Sequence, residues 1–125
     1  KENGGDQKPS HITMWDICRF YNLLLNLPAY RLSGQTYNVV GENQSVAQTA
    51  ALVQEITGCA VEIGPRTDDR SYTVDGSKAE RDLGFKTKRT VAEAVEQMAL
   101  YLKGGKWKDS QTNPLYMNLL DTIPA

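Results

Sequence analysis

One histidine, His11, and two cysteines, Cys18 and Cys59, are the whole supply of soft metal ligands in this 125-residue chain, and no Cys-x-x-Cys spacing occurs. A zinc or iron–sulfur site is therefore not expected. Both cysteines sit in apolar patterns, so two buried free thiols are the expected state, although spacing alone leaves a disulfide open. Charge of one sign is also lacking, because 14 basic residues face 15 acidic ones for a formal net charge of -1. Such a balance gives no long-range field for nucleic acid or an anionic membrane, and any anion has to be met by a local cluster. No apolar run is long enough to span a bilayer, and residues 1–6 lack the apolar core of a secretion signal. The expected setting is the cytoplasm.

What is present fits one globular domain. Hydrophobic residues make up 40% and charged residues 23% of the chain, ordinary proportions for a soluble fold of this length. The first ten residues are polar and rich in glycine, and read as a flexible N-terminal segment. From Met14 to Leu27 the residues Ile17, Phe20, Tyr21, Leu24 and Leu25 recur at helical spacing, with Thr13 or Asp16 available as N-cap and Pro28 as terminator. Residues 36–40, Thr-Tyr-Asn-Val-Val, are β-branched and aromatic and predict a strand.

Three capping boxes follow, each pairing a hydroxyl with Gln or Glu three residues on. They are Ser45 with Gln48, Ser77 with Glu80, and Thr90 with Glu93. The first opens a helix ending at Thr57-Gly58, where glycine accepts the left-handed cap, the second a short helix stopped at Gly84, and the third a helix stopped at Gly104-Gly105. Residues 59–63 between the first two read as a second short strand. The fold class is therefore α+β, a small helix-rich domain with about four helices and two or three short strands. Residues 11–105 form the unit, and residues 106–125 are an extension. Its run Leu115–Leu120 is too apolar for a free tail and is expected to pack on the domain or on a partner. Trp15 and Trp107, each flanked by polar or basic residues, are read as anchors of helix ends on the core.

In order along the chain stand Tyr37-Asn-Val-Val-Gly41, Ser45-Val46, a charged turn Arg66-Thr-Asp-Asp-Arg70, Asp75-Gly-Ser-Lys78, Leu83-Gly-Phe85, and a capped helix from Thr90. Each is weak alone. Taken in sequence at these intervals they resemble the C-terminal, substrate-binding part of the extended short-chain dehydrogenase/reductase family, the NAD-dependent nucleotide-sugar epimerases and dehydratases.

That resemblance implies a like fold, and a role for Arg70 in holding the diphosphate of a UDP-, dTDP- or GDP-linked sugar, with Arg66 as an earlier arginine of the same turn. A guanidinium suits this task because its planar fork holds two phosphate oxygens at any working pH. Without the family context, Arg66 and Arg70 read instead as members of a solvated salt-bridge cluster of little energetic weight. His11 departs from the family's spacing before the first helix and is expected to be a solvated or capping residue. Lys78 and Arg81 are expected to be exposed helix residues.

The catalytic half of that family is not visible here. No Gly-x-x-Gly-x-x-Gly follows an opening strand, and none of the tyrosines has a lysine four residues on. The resemblance implies NAD or NADP in the parent enzyme, no cofactor bound by this chain, no catalytic residue and no activity of the chain alone. Two further readings stand beside it. One is a non-catalytic interaction module that self-associates, as a homodimer, or receives the missing Rossmann domain through an exposed apolar face on the Met14 to Leu27 helix or the Leu115–Leu120 run. The other takes Ser45–Val53 as the first helix of a helix-turn-helix, but the acidic, β-branched run that follows is the wrong chemistry for a recognition helix.

Overall fold

Helix starts are set by side chains close in sequence. In the computed structural model, which describes residues 2–3, 5–64, 72–110 and 112–114, α1 runs over Met14–Leu25 with Thr13 as N-cap, its side chain accepting from the Asp16 N–H. Helix α3, Val46–Thr57, and helix α5, Val91–Lys103, each begin with the complete capping box expected, Ser45 with Gln48 and Thr90 with Glu93. Gly58 and Gly84 end α3 and α4 in the left-handed conformation at φ 73° and 67°. A single turn, α2 (Ala29–Leu32), follows Pro28 and was not anticipated.

The second expected box, Ser77 with Glu80, is replaced by another device. Helix α4 is Ser77–Leu83, but its N-cap is Gly76 and Ser77 lies inside the helix. Asp75, two residues earlier, accepts from both the N–H and the hydroxyl of Ser77, at 2.8 and 2.9 Å. Glu80 would also have offered a carboxylate, but Asp75 reaches the Ser77 N–H from only two residues away, and Glu80 pairs instead with Lys86 at 2.6 Å.

Strands are short, four of two residues among the described residues. Glu2–Asn3 (β1) pairs in parallel with Ile63–Gly64 (β4), and Ser10–His11 (β2) pairs antiparallel with Glu42–Asn43 (β3). The opening segment, read as flexible from composition, is thus partly laddered. It also serves α3, because the carbonyls of Gln7 and Gly5 accept from the orphan N–H groups of Val46 and Ala47 at 3.0 and 3.1 Å. The ladder expected at 59–63 falls at its last residue, and the strand expected at 36–40 does not form a ladder with any described residue. An apolar alternation can specify an extended chain, but a ladder needs a second strand at hand.

The core is small and aromatic. Phe20, Ala79 and Phe85 are buried together, with Leu23, Leu24, Tyr37, Val39 and Leu83 packed around them. Phe20 meets Phe85 edge-on at 5.0 Å and 67°, and Tyr37 at 6.4 Å and 71°. Helices α3 and α5 pack on each other. Because α1 turns Asp16 and Phe20 inward, Cys18 points the other way, and Cys18 and Cys59 are both exposed rather than buried as expected.

Candidate functional site

The loop between residue 36 and β3 and the segment entering α4 line one side of a polar cleft of about 440 Å³, with Phe85, Lys86 and Thr87 on the other. Asn43 holds these parts together. Its Nδ2 donates to the Val74 carbonyl at 3.1 Å, and the Val74 N–H donates back to Asn43 Oδ1 at 3.3 Å and to Ser10 Oγ at 3.0 Å. The Ser10 hydroxyl closes the triangle by donating to Asn43 Oδ1. Ser10 and Asn43 are also ladder partners, so the β2–β3 bridge fixes the chain where it leaves residues 65–71.

Gly76 follows at close quarters. A Cβ there would lie 3.4 Å from Val40 N and 3.6 Å from Asn38 O, ordinary van der Waals contact, so the two segments pack closely at this point. The Asp75 carboxyl is held below its ordinary range, chiefly by the Ser77 N–H and then by the Ser77 hydroxyl. Lys78, read as exposed, is half-buried. Its ammonium donates to Gln35 Oε1 and to the Thr36 carbonyl, both at 2.9 Å, and sits 4.6 Å over the Tyr37 ring. Arg81 is exposed as expected and pairs with Asp82 at 3.5 Å. Arg66 and Arg70 lie outside the described residues, as does Leu115–Leu120.

A second polar centre, missed from sequence except as a possible N-cap, is Asp16. Its side chain is fully buried. It accepts from the N–H groups of Lys88 and Arg89 at 3.0 to 3.2 Å, from Arg19 Nη1 at 2.6 Å and from Thr13 Oγ1 at 3.2 Å. Burial pushes this carboxyl up, but the bonds from Arg89, Lys88, Arg19 and Thr13 together outweigh it and hold the group below its ordinary range. The Arg19 guanidinium lies 4.8 Å from Trp15 and 5.3 Å from Phe85, so Trp15 meets a cation at the surface and is not buried in the core. Asp16 thereby ties the start of α1 to the start of α5, and Glu42 does the same from β3, its Oε2 accepting from the Val91 N–H at 2.7 Å. The links to Thr13 and Arg19, each three residues away, were within reach of a sequence reading; the bonds from Lys88 and Arg89 span 72 and 73 residues.

His11 is half-buried in its ladder, with Nε2 enclosed and without a hydrogen-bond partner, so it is neither solvated nor a cap. It borders an apolar pocket of about 310 Å³ with Val46, Val53 and Cys59. Among the described residues no group of three or more His, Cys, Asp or Glu side chains could hold a metal ion, and no helix is long and apolar enough to cross a membrane.

No protein-family model matches this chain, and no curated protein does. Solved structures do. A partial-consensus L-threonine 3-dehydrogenase is 29% identical at a TM-score of 0.68, over 82% of this chain and 36% of its own. The GalE-like L-threonine dehydrogenase of Cupriavidus necator is 28% identical at a TM-score of 0.66, over 80% and 39%. UDP-glucose 4-epimerase of Bifidobacterium longum, in complex with NAD+ and UDP, shares the fold at 18% identity and a TM-score of 0.61, over 90% and 32%. The similarity supports the extended, GalE-like short-chain dehydrogenases as the class to which this fold is related. The chain spans 32% to 39% of the length of these proteins.

Proposed function

We propose that this chain is the C-terminal, substrate-binding portion of an extended short-chain dehydrogenase, and that it holds the diphosphate of a nucleotide-sugar through Arg70, with Arg66. The observation that supports the reading is the clamp of Ser10 and Asn43 on Val74, a residue of the polar cleft that follows Arg70 by four positions in the sequence. Charge supports it as well. The cleft is bordered by the carboxylates of Asp75 and Glu80 against the single ammonium of Lys86, which is 2.6 Å from Glu80. A diphosphate would be repelled there unless the two arginines of the turn reverse the sign. Residues 41–44 would shape the sugar or base side of the pocket.

On this reading the chain binds and does not catalyse. NAD or NADP would be carried by the dinucleotide-binding half of the parent enzyme, which would oxidise and re-reduce a sugar carbon, in the cytoplasm. A second reading is favoured by the higher identity to the threonine dehydrogenases, 29% and 28% against 18% for the epimerase. In it the same cleft receives an amino acid, and the arginines meet a carboxylate.

An amide NMR titration separates the two. UDP-, dTDP- and GDP-sugars and L-threonine are each added to the isolated chain and to Arg70→Ala. Saturable shifts around residues 72–77 and 41–44 with a nucleotide-sugar, lost in Arg70→Ala, are the expected result. Saturation by threonine alone would move the assignment to the second reading. A well-dispersed spectrum indifferent to every ligand would end both.

A further inference from the structure

Where α1 and α5 begin side by side, a groove of about 340 Å³ is lined by Met14 and Trp15 from α1 and by Arg89, Glu93, Gln97 and Met98 from α5 and its entry. Its large apolar side chains are left open to solvent, Met14 at 72%, Met98 at 55% and Trp15 at 47%. The charges at its border already meet partners, because Arg89 lies 3.3 Å from Glu93 and 5.2 Å over the Trp15 ring. Such a groove offers little to a charged ligand and suits uncharged apolar side chains.

The chain itself turns back along the same face of α5. Past Gly104 the Lys106 N–H donates to the Tyr101 carbonyl at 2.9 Å, the Lys106 ammonium lies 4.2 Å over the Tyr101 ring, and Trp107 meets that ring edge-on at 5.4 Å. Tyr101 continues the lining of the groove, since Gln97 Nε2 donates to its hydroxyl at 3.3 Å and Met98 stands one turn before it. Bonds from the Ser110 N–H to the Trp107 carbonyl, and from the Thr112 and Asn113 N–H groups to the Asp109 carbonyl, then keep the chain tightly wound up to Pro114. The following residues therefore start near Tyr101.

We propose that this groove seats the chain's own C-terminal run, Leu115–Leu120, laid back along α5 toward Trp15. The run lies outside the described residues, and its length fits the path. From Tyr101 to Glu93 is roughly 12 Å along the helix axis, and Leu115–Leu120 reaches roughly 20 Å when extended. The run carries no charge, so it brings none into the apolar lining. Tethering favours it over a second copy, because a short linker presents it at an effective concentration on the order of millimolar. Shape favours it over the dinucleotide-binding half of a parent enzyme. Domains meet over faces of roughly 600–1,500 Å², whereas this groove is closed off by the paired Arg89 and Glu93 and admits only a few side chains. The docking does not depend on what the polar cleft binds.

The test uses the full chain carrying Trp107→Phe, so that Trp15 alone reports. Acrylamide quenching of Trp15 is measured with and without the pair Leu119→Asp and Leu120→Asp, amide dispersion confirming that each form folds. With the run in place the quenching constant should be lower by about half than in the Asp pair, since the half-exposed ring is then covered. Nuclear Overhauser contacts from the methyl groups of Leu115, Leu119 and Leu120 to the Trp15 indole or the Met98 methyl should appear at every concentration. Equal quenching in the two folded forms overturns the proposal and leaves the groove to a separate partner such as the dinucleotide-binding half. Contacts that appear only as concentration rises overturn it as well, and make the occupant a second copy.

Discussion

Two aspartates, Asp16 and Asp75, stand near helix starts and do opposite kinds of work. Asp75 is exposed and serves its own neighbourhood, accepting only from Ser77 two residues on. Asp16 is wholly buried and serves residues 72 and 73 positions away, joining α1 to the entry of α5 while Arg19 neutralises it. The lesson is that the same side chain can trim one helix or lock two segments together, and burial decides which. Removing a buried, multiply bonded charge leaves several donors without an acceptor. Removing an exposed one leaves donors that water can serve.

The largest test of this contrast is Asp16→Ala. It strands the N–H groups of Lys88 and Arg89 and the Arg19 guanidinium, and should lower the unfolding free energy in urea by about 3–5 kcal/mol. Its pH dependence sharpens the point. Because the folded-state carboxyl lies below its ordinary value, its contribution is fully present above the unfolded value of about 3.9 and is lost as pH falls through the folded one. Urea midpoints measured from neutral pH down to acid should therefore fall more steeply in the parent chain than in Asp16→Asn. Equal slopes would remove Asp16 from the account.

Glu42→Ala is an intermediate case, since Glu42 is half-buried and bonds one helix N–H from a distant strand. A loss of about 1 kcal/mol in the same urea assay is expected, as for other lost caps. Asp75→Ala should have the smallest effect, a Tm shift below that of Glu42→Ala, with α4 retained by circular dichroism. A Tm loss matching that of Asp16→Ala would break the comparison.

Much of the fold was legible where the physics is local. The boxes of Ser45 with Gln48 and Thr90 with Glu93 need only residues three apart, and both helices start where those residues stand. The Ser77 box misled because the same three-residue spacing was open to a nearer acceptor, Asp75, from outside it. The candidate cleft was legible only in part. Gly76 stood in the quoted Asp-x-Ser-Lys run, but the clamp of Asn43 on Val74 joins residues 31 apart, and no periodicity announces it.

The comparison of the cysteines is similar. Their apolar neighbours suggested burial, yet the orientation of α1 is set by which face carries Asp16 and Phe20 inward, and Cys18 lies on the other one. Residues 36–40 show the limit from the opposite side. Their β-branched and aromatic character predicted a strand that is not formed among the described residues, because a ladder needs a second backbone within reach.

By itself, then, the sequence determined where helices begin and end, which stretches are extended and the α+β class, because caps, glycines and apolar spacing act over a few residues. Tertiary structure alone decided that Asp16 is buried and anionic and that Asn43 holds Val74 from 31 residues away. Each of these depends on which distant backbone groups arrive beside a side chain, and only the packed chain brings them there.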